Sequence, residues 1–78
     1  MRLRFFGRLR DAVGADEFDR SVPPQVVDSE AMRRWIGEEY PALLDPSVRI
    51  AIDDVLAVRA MPIAGASEAA FLPPVSGG

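Results

Sequence analysis

DSEAMRRWIGEEYP, Asp28–Pro41, is the one long segment of this chain that reads as a helix. Met32, Trp35, Ile36 and Tyr40 recur at i, i+3, i+4 spacing and form one apolar stripe, while Arg33, Arg34, Glu38 and Glu39 fall on the other side. Asp28 is a good N-cap, and Glu30 lies in the first turn, where the helix dipole favours negative charge. Pro41 ends the helix because the residue before a proline resists helical geometry. On this stripe Trp35 is expected to be the largest single piece of the core, with Trp35→Ala costing about 3–5 kcal/mol.

Both flanks of the helix alternate with the period of strands. In LRFFG, Leu3 and Phe5 share one face and Arg2, Arg4 and Phe6 the other. The charged face is the solvent face, which leaves Phe6 as an aromatic on a polar surface. A turn bracketed by Gly7 and Gly14, with one helical turn around Leu9–Val13, leads to EFDRSV, a hairpin partner for the first strand. After the helix, PALLDPS is a loop with a short turn of helix, and VRIAI places Val48, Ile50 and Ile52 inward. Asp53-Asp54 reads as a turn, VLAVR (Val55–Arg59) as a short strand, and EAAFLP as the last strand. The order is β-β-α-β-β-β, with the C-terminal strand beside the N-terminal one. Strands bunched around a single helix predict an α+β fold with the helix on one face of a mixed sheet.

Composition narrows the functions. Seventy-eight residues, 49% of them apolar, make one small domain with a core of its own. There is no cysteine, so neither a disulfide framework nor a thiolate zinc site supports it. No apolar run reaches the length of a membrane span and charges interrupt every apolar stretch, so a cytoplasmic protein without membrane association is expected. A net charge of −3 argues against nucleic acid as a partner. Arg2, Arg4, Arg8 and Arg10 form either a local basic strip or a solvated sheet edge that resists aggregation.

The chain also has no His and no Lys. A Ser-His-Asp arrangement, a Cys-His pair, a Schiff base and a histidine metal site are thereby excluded. Asp53 and Asp54 point to opposite faces of a strand or both to solvent in a turn, and the turn reading is preferred to a catalytic pair. The remaining candidate for chemistry is the end of the chain, FLPPVSGG, Phe71–Gly78. Pro73 and Pro74 hold φ near −65° and favour an extended rise, so the last six residues reach up to roughly 20 Å. Gly77 and Gly78 have no side chains, which lets the backbone lie in a narrow channel and leaves the terminal carboxylate unencumbered. A carboxylate becomes an electrophile only when activated. Adenylation by a partner, followed by attack of a sulfur donor, would leave a thiocarboxylate.

These residues resemble a known family. RLRFFGRLRDAVG, SEAMRRWI, AIDDVLA and above all the FLPPVSGG ending are similar to the small subunit of molybdopterin synthase, within the wider group of ubiquitin-like β-grasp sulfur carriers. The resemblance covers the whole chain and implies a β-grasp domain over residues 1–72 with an extended tail over 73–78. It implies that Gly78 is adenylated with ATP by a ubiquitin-activating-like adenylyltransferase and thiocarboxylated with sulfur from a sulfurtransferase. No cofactor is held permanently and no metal is bound. The tail (Pro73, Pro74, Val75, Ser76, Gly77 and Gly78) would insert into the large synthase subunit, which supplies the catalytic side chains. Sulfur passes to cyclic pyranopterin monophosphate in molybdenum cofactor biosynthesis, and the assembly implied is a heterotetramer of two small and two large subunits. The partner surface implied is Phe6, Leu56 and Leu72. Strand parity agrees for Phe6 and Leu72 but does not decide Leu56. Two features depart from the family: AGASEAA stands where an acidic-glycine turn is usual, and Asp53-Asp54 replaces an asparagine-containing hairpin.

Other functions share these features. A sulfur carrier for thiamine, cysteine or tRNA thiolation would end in the same way. A ubiquitin-like modifier would be joined through Gly78 to target lysines, although a chain without lysine cannot build lysine-linked polymers of itself. An interaction module with an inert tail is the least specific alternative.

Overall fold

Alternation in the first and last strands turns two phenylalanines toward the same interior. Phe5 and Phe71 are both buried and stack with ring centroids 5.5 Å apart and planes 16° from parallel. In this computed structural model, residues 1–74 are described. The elements in chain order are β1 (Arg2–Phe5), α1 (Leu9–Val13), β2 (Glu17–Asp19), α2 (Ser29–Glu39), a 3-10 turn (Pro41–Leu44), β3 (Arg49–Ile52), β4 (Val55–Leu56) and β5 (Glu68–Leu72). They form one five-stranded sheet in the order β2-β1-β5-β3-β4. β1 and β5 run parallel, with Phe5 opposite Phe71, and the other pairings are antiparallel. The expected α+β order is thus present, with the last strand at the centre of the sheet beside the first.

The inner face carries the core: Leu3 and Phe5 from β1, Ile50 and Ile52 from β3, Ala69 and Phe71 from β5, covered by Met32 and Ile36 of α2. As expected from the sequence, the Asp28 side chain caps α2 by accepting from the Ala31 N–H at 2.8 Å. Ser29, also buried, ties the helix start to the chain before β5: its hydroxyl accepts from the Met61 N–H at 2.9 Å, and its own N–H donates to the Met61 carbonyl at 2.8 Å. At the far end, Gly37 leaves no room for a Cβ because the Leu44 side chain lies against it. That contact accounts for a glycine inside a helix, where it costs about 1 kcal/mol relative to alanine.

Three expectations need correction. Trp35 is only partly buried, packed against the margin of the core, and the largest fully buried side chains are Phe5 and Phe71. An eleven-residue helix on a small sheet buries a narrow stripe, here Met32 and Ile36, and the indole falls to its flank. β1 is not an edge strand, so its arginines do not guard a sheet edge; β2 and β4 are the edges. β4 is only two residues long, because its antiparallel register with β3 covers only Ala51↔Leu56 and Ile52↔Val55.

β2 and α2 are joined by ions. Arg20 donates to both Glu39 carboxylate oxygens, at 2.7 and 3.5 Å, while its guanidinium lies 4.7 Å from the Phe18 ring centroid. The Arg20 hydrogen bond holds the Glu39 carboxyl below the usual glutamate range. A folded-state pKa below the unfolded one means that the contribution is present above the ordinary glutamate range and is lost as pH falls through the folded value. Glu39→Gln is therefore expected to lower the melting temperature near neutral pH, with the difference closing on acidification. Phe71→Ala is expected to cost about 3–5 kcal/mol by urea unfolding, and clearly more than Trp35→Ala.

Candidate functional site

The outer face of the sheet follows directly from its register. Glu17, Arg4, Ala70, Ala51 and Leu56 lie side by side across the five strands. Leu56 is therefore on the same face as Arg4, which decides the one position that parity left open. It is exposed, at 43%. In the next row Leu72 is paired with Arg49. Phe6, one residue past the end of β1, donates its N–H to the Phe71 carbonyl at 3.1 Å and so lies beside Leu72. The Arg4 guanidinium sits 5.0 Å from the Phe6 ring centroid, which places the ring outside with it. Phe6 and Leu72 are half-buried. The structure thus brings Phe6, Leu56 and Leu72 onto one face.

The arginines of β1 belong to that face but are not a free basic strip. Arg2 lies 3.5 Å from Glu17, and Arg4 lies 3.8 Å from Glu17 and 3.4 Å from Glu68. Such half-exposed pairs contribute little to stability. Their effect is to neutralise one half of the outer face, leaving the apolar half where β1 and β5 end.

The tail begins on this apolar half. β5 stops at Leu72, and Pro73 and Pro74 follow. Gly7, at φ +56°, faces the Pro73 ring so closely that a Cβ there would stand 2.8 Å from the Pro73 Cγ. The turn after β1 and the first proline of the tail are therefore packed together, with glycine supplying both the positive φ and the space. Val75, Ser76, Gly77 and Gly78 lie outside the described residues.

Asp53 and Asp54 form the β3–β4 turn at φ 46° and 69°, a conformation that favours asparagine and glycine. The Asp53 carboxylate accepts from the N–H groups of Ser67 (3.0 Å) and Glu68 (2.9 Å), and its own N–H donates to the Glu68 carbonyl at 3.0 Å. These bonds offset the backbone strain and anchor the start of β5, so Asp53 is a structural residue and not half of a catalytic pair. Among the described residues no group of three His, Cys, Asp or Glu side chains is placed to hold a metal ion, and no helix is long and apolar enough to cross a membrane.

Sequence reasoning missed the Gly7–Pro73 contact and Arg49. The only signal for Gly7 is a glycine directly after a strand. Nothing local in the sequence marks Arg49 as the neighbour of Leu72, because that pairing joins residues far apart in the chain.

A mixed sheet with one long helix on one face, and a proline tail leaving its central strand, is the β-grasp architecture of ubiquitin-like proteins. The ThiS family model matches residues 3–78, and this chain belongs to that family of ubiquitin-fold sulfur carriers. Two solved structures share its fold. One is described as a molybdopterin converting factor, subunit 1, from Pyrococcus furiosus, with a TM-score of 0.67 and 17% identity, covering 95% of each chain. The other is small archaeal modifier protein 1 from Methanosarcina acetivorans, with a TM-score of 0.69 and 23% identity, covering 99% of this chain and 94% of that one. No curated protein matches the chain in sequence.

The Gly7 contact makes a prediction of its own. Gly7→Ala is expected to destabilise the fold by about 1–2 kcal/mol through the left-handed backbone alone. It should also shift the NMR resonances of Leu72 and Pro73, and unchanged resonances there would mean that the turn does not seat the tail.

Proposed function

We propose that this chain is the sulfur-donating small subunit of a molybdopterin synthase. The observation that carries the reading is the placement of Phe6, Leu56 and Leu72 on one outer face, from which the Pro73-Pro74 tail departs. A partner docked on that face meets the tail where it leaves the sheet. The ThiS family match and the likeness to a molybdopterin converting factor subunit support the assignment.

In this reading the domain over residues 1–72 is a holder and residues 73–78 are the arm. A ubiquitin-activating-like adenylyltransferase binds the outer face and directs the Gly78 carboxylate to the α-phosphate of ATP, releasing pyrophosphate. The outer sulfur of a persulfide on a sulfurtransferase attacks the acyl carbon and expels AMP, and a thiol then cleaves the S–S bond, leaving Gly78 as a thiocarboxylate and the thiol oxidised to a disulfide. Pro73 and Pro74 set the direction of reach, and Val75, Ser76 and Gly77 thread the arm into the large synthase subunit. There the thiocarboxylate gives its sulfur to cyclic pyranopterin monophosphate. The small subunit contributes the sulfur and its delivery, while the large subunit contributes the catalytic side chains, in a heterotetramer of two small and two large subunits.

A second reading keeps the carrier and changes the recipient. The likeness to a small archaeal modifier protein favours attachment of Gly78 to lysines of other proteins, and the thiamine, cysteine and tRNA-thiolation pathways would use the same arm.

Deleting Gly78 is expected to abolish molybdopterin formation in a reconstituted synthase while leaving the melting temperature unchanged. Product formed at the wild-type rate by the truncated chain would refute the assignment. Phe6→Asp and Leu72→Asp are each expected to weaken large-subunit binding by about tenfold or more, as loss of a central interface contact does. Wild-type affinity in either variant would remove that residue from the interface.

A further inference from the structure

The apolar half of the outer face continues around the β4 edge into an open groove of about 890 Å³, and the charge of that groove is opposite to that of the chain. Arg33, Arg49 and Arg59 line it, and Glu30, the one acidic lining residue among the described residues, is already bonded to Arg33 at 3.1 Å. Arg33 is further occupied by the carbonyls of Leu43 and Asp45, at 3.2 and 3.1 Å. Arg49 and Arg59 are different. Both are exposed and, like Arg8, Arg10 and Arg34 outside the groove, neither has a carboxylate within ion-pair distance among the described residues, whereas Arg2, Arg4, Arg20 and Arg33 all do.

The apolar lining is equally uneven. Of the five large hydrophobic side chains that are notably exposed among the described residues, three (Val55, Leu56 and Val58) lie within four residues at this edge, and Val58 is 77% exposed. Leu56 and Val58 line the groove itself, and its rim on the other side is Leu72, Pro73 and Pro74. The groove therefore combines two unpaired cations with uncovered apolar side chains at the root of the arm.

We propose that this groove receives an acidic polypeptide segment, with carboxylates for Arg49 and Arg59 and an apolar side chain for Leu56 and Val58, on the protein that takes up the tail. The proposal rests on the functional reading above and adds the chemistry of the partner's contact. Guanidinium groups pair carboxylates in bidentate geometry, and charges at an interface rim act mainly on encounter rate and salt dependence. The expected effect is steering: the partner is drawn to the tail side of the sheet before the arm is threaded.

The test is stopped-flow association of the full-length chain with its adenylyltransferase and, separately, with the large synthase subunit, over a range of salt concentrations. Arg49→Glu/Arg59→Glu is expected to slow association by about tenfold or more and to flatten its salt dependence, with Arg49→Gln/Arg59→Gln intermediate. Arg10→Glu/Arg34→Glu, which changes the net charge equally at exposed positions outside the groove, is expected to have little effect. Equal slowing by both Glu pairs would reduce the effect to net charge and overturn the groove. Wild-type rates in both Arg49/Arg59 pairs would overturn it while leaving the carrier assignment intact, provided that deletion of Gly78 still abolishes sulfur transfer. Wild-type protein that engages neither partner would overturn both.

Discussion

The parallel pairing of the first and last strands is the constraint on which the rest of the molecule depends. Phe5 opposite Phe71 buries two aromatic rings against each other at the centre of the sheet. Fully buried phenylalanines are worth several kcal/mol each in a domain whose whole stability is of order 5–15 kcal/mol. Because side chains alternate along a strand, seating Phe5 and Phe71 inside forces Phe6 and Leu72 outside. A slip of one residue would exchange the core face for the outer face in either strand. The same stack that holds the fold together therefore fixes where the arm starts and what lies beside it.

Electrostatics divide the outer face into parts with different tasks. Where β1 begins, arginines and glutamates pair with one another and leave a neutral, hydrated surface. Where β1 and β5 end, apolar side chains are left half-covered, and Arg49 on β3 and Arg59 beyond β4 have no ion-pair partner among the described residues. Contacts among the described residues account for the first part and leave the second uncovered. The Gly7–Pro73 contact then joins this surface to the first proline after β5, so that one turn fixes where the chain leaves the sheet.

Much of this was legible in the sequence. Alternation placed Leu3, Phe5, Ile50 and Ile52 inside, Asp28 marked the helix start, and the ending FLPPVSGG carried the family resemblance. Legibility failed where the outcome depends on partners distant in the chain. Periodicity put Trp35 on the right stripe of α2, but how deeply it is buried depends on the width of the sheet beneath, which the helix sequence does not contain. Leu56 could not be oriented until its register with Ala51 was known. VLAVR has the composition of a longer strand, yet β4 ends after two residues. The arginines of β1 read as either a basic strip or a solvated sheet edge because their partners, Glu17 and Glu68, lie on other strands. Asp53-Asp54 was recognisable as a turn, while the bonds that support it come from the start of β5.

The central claim is that this domain exists to present Gly78 as a sulfur carrier. Intact-mass spectrometry of the full-length chain after incubation with ATP, the adenylyltransferase and a sulfur source tests it most directly. The account predicts exchange of one terminal oxygen for sulfur, dependent on ATP and absent from a chain lacking Gly78. A terminus that stays a carboxylate while the chain appears in stable adducts on lysines of other proteins would contradict it.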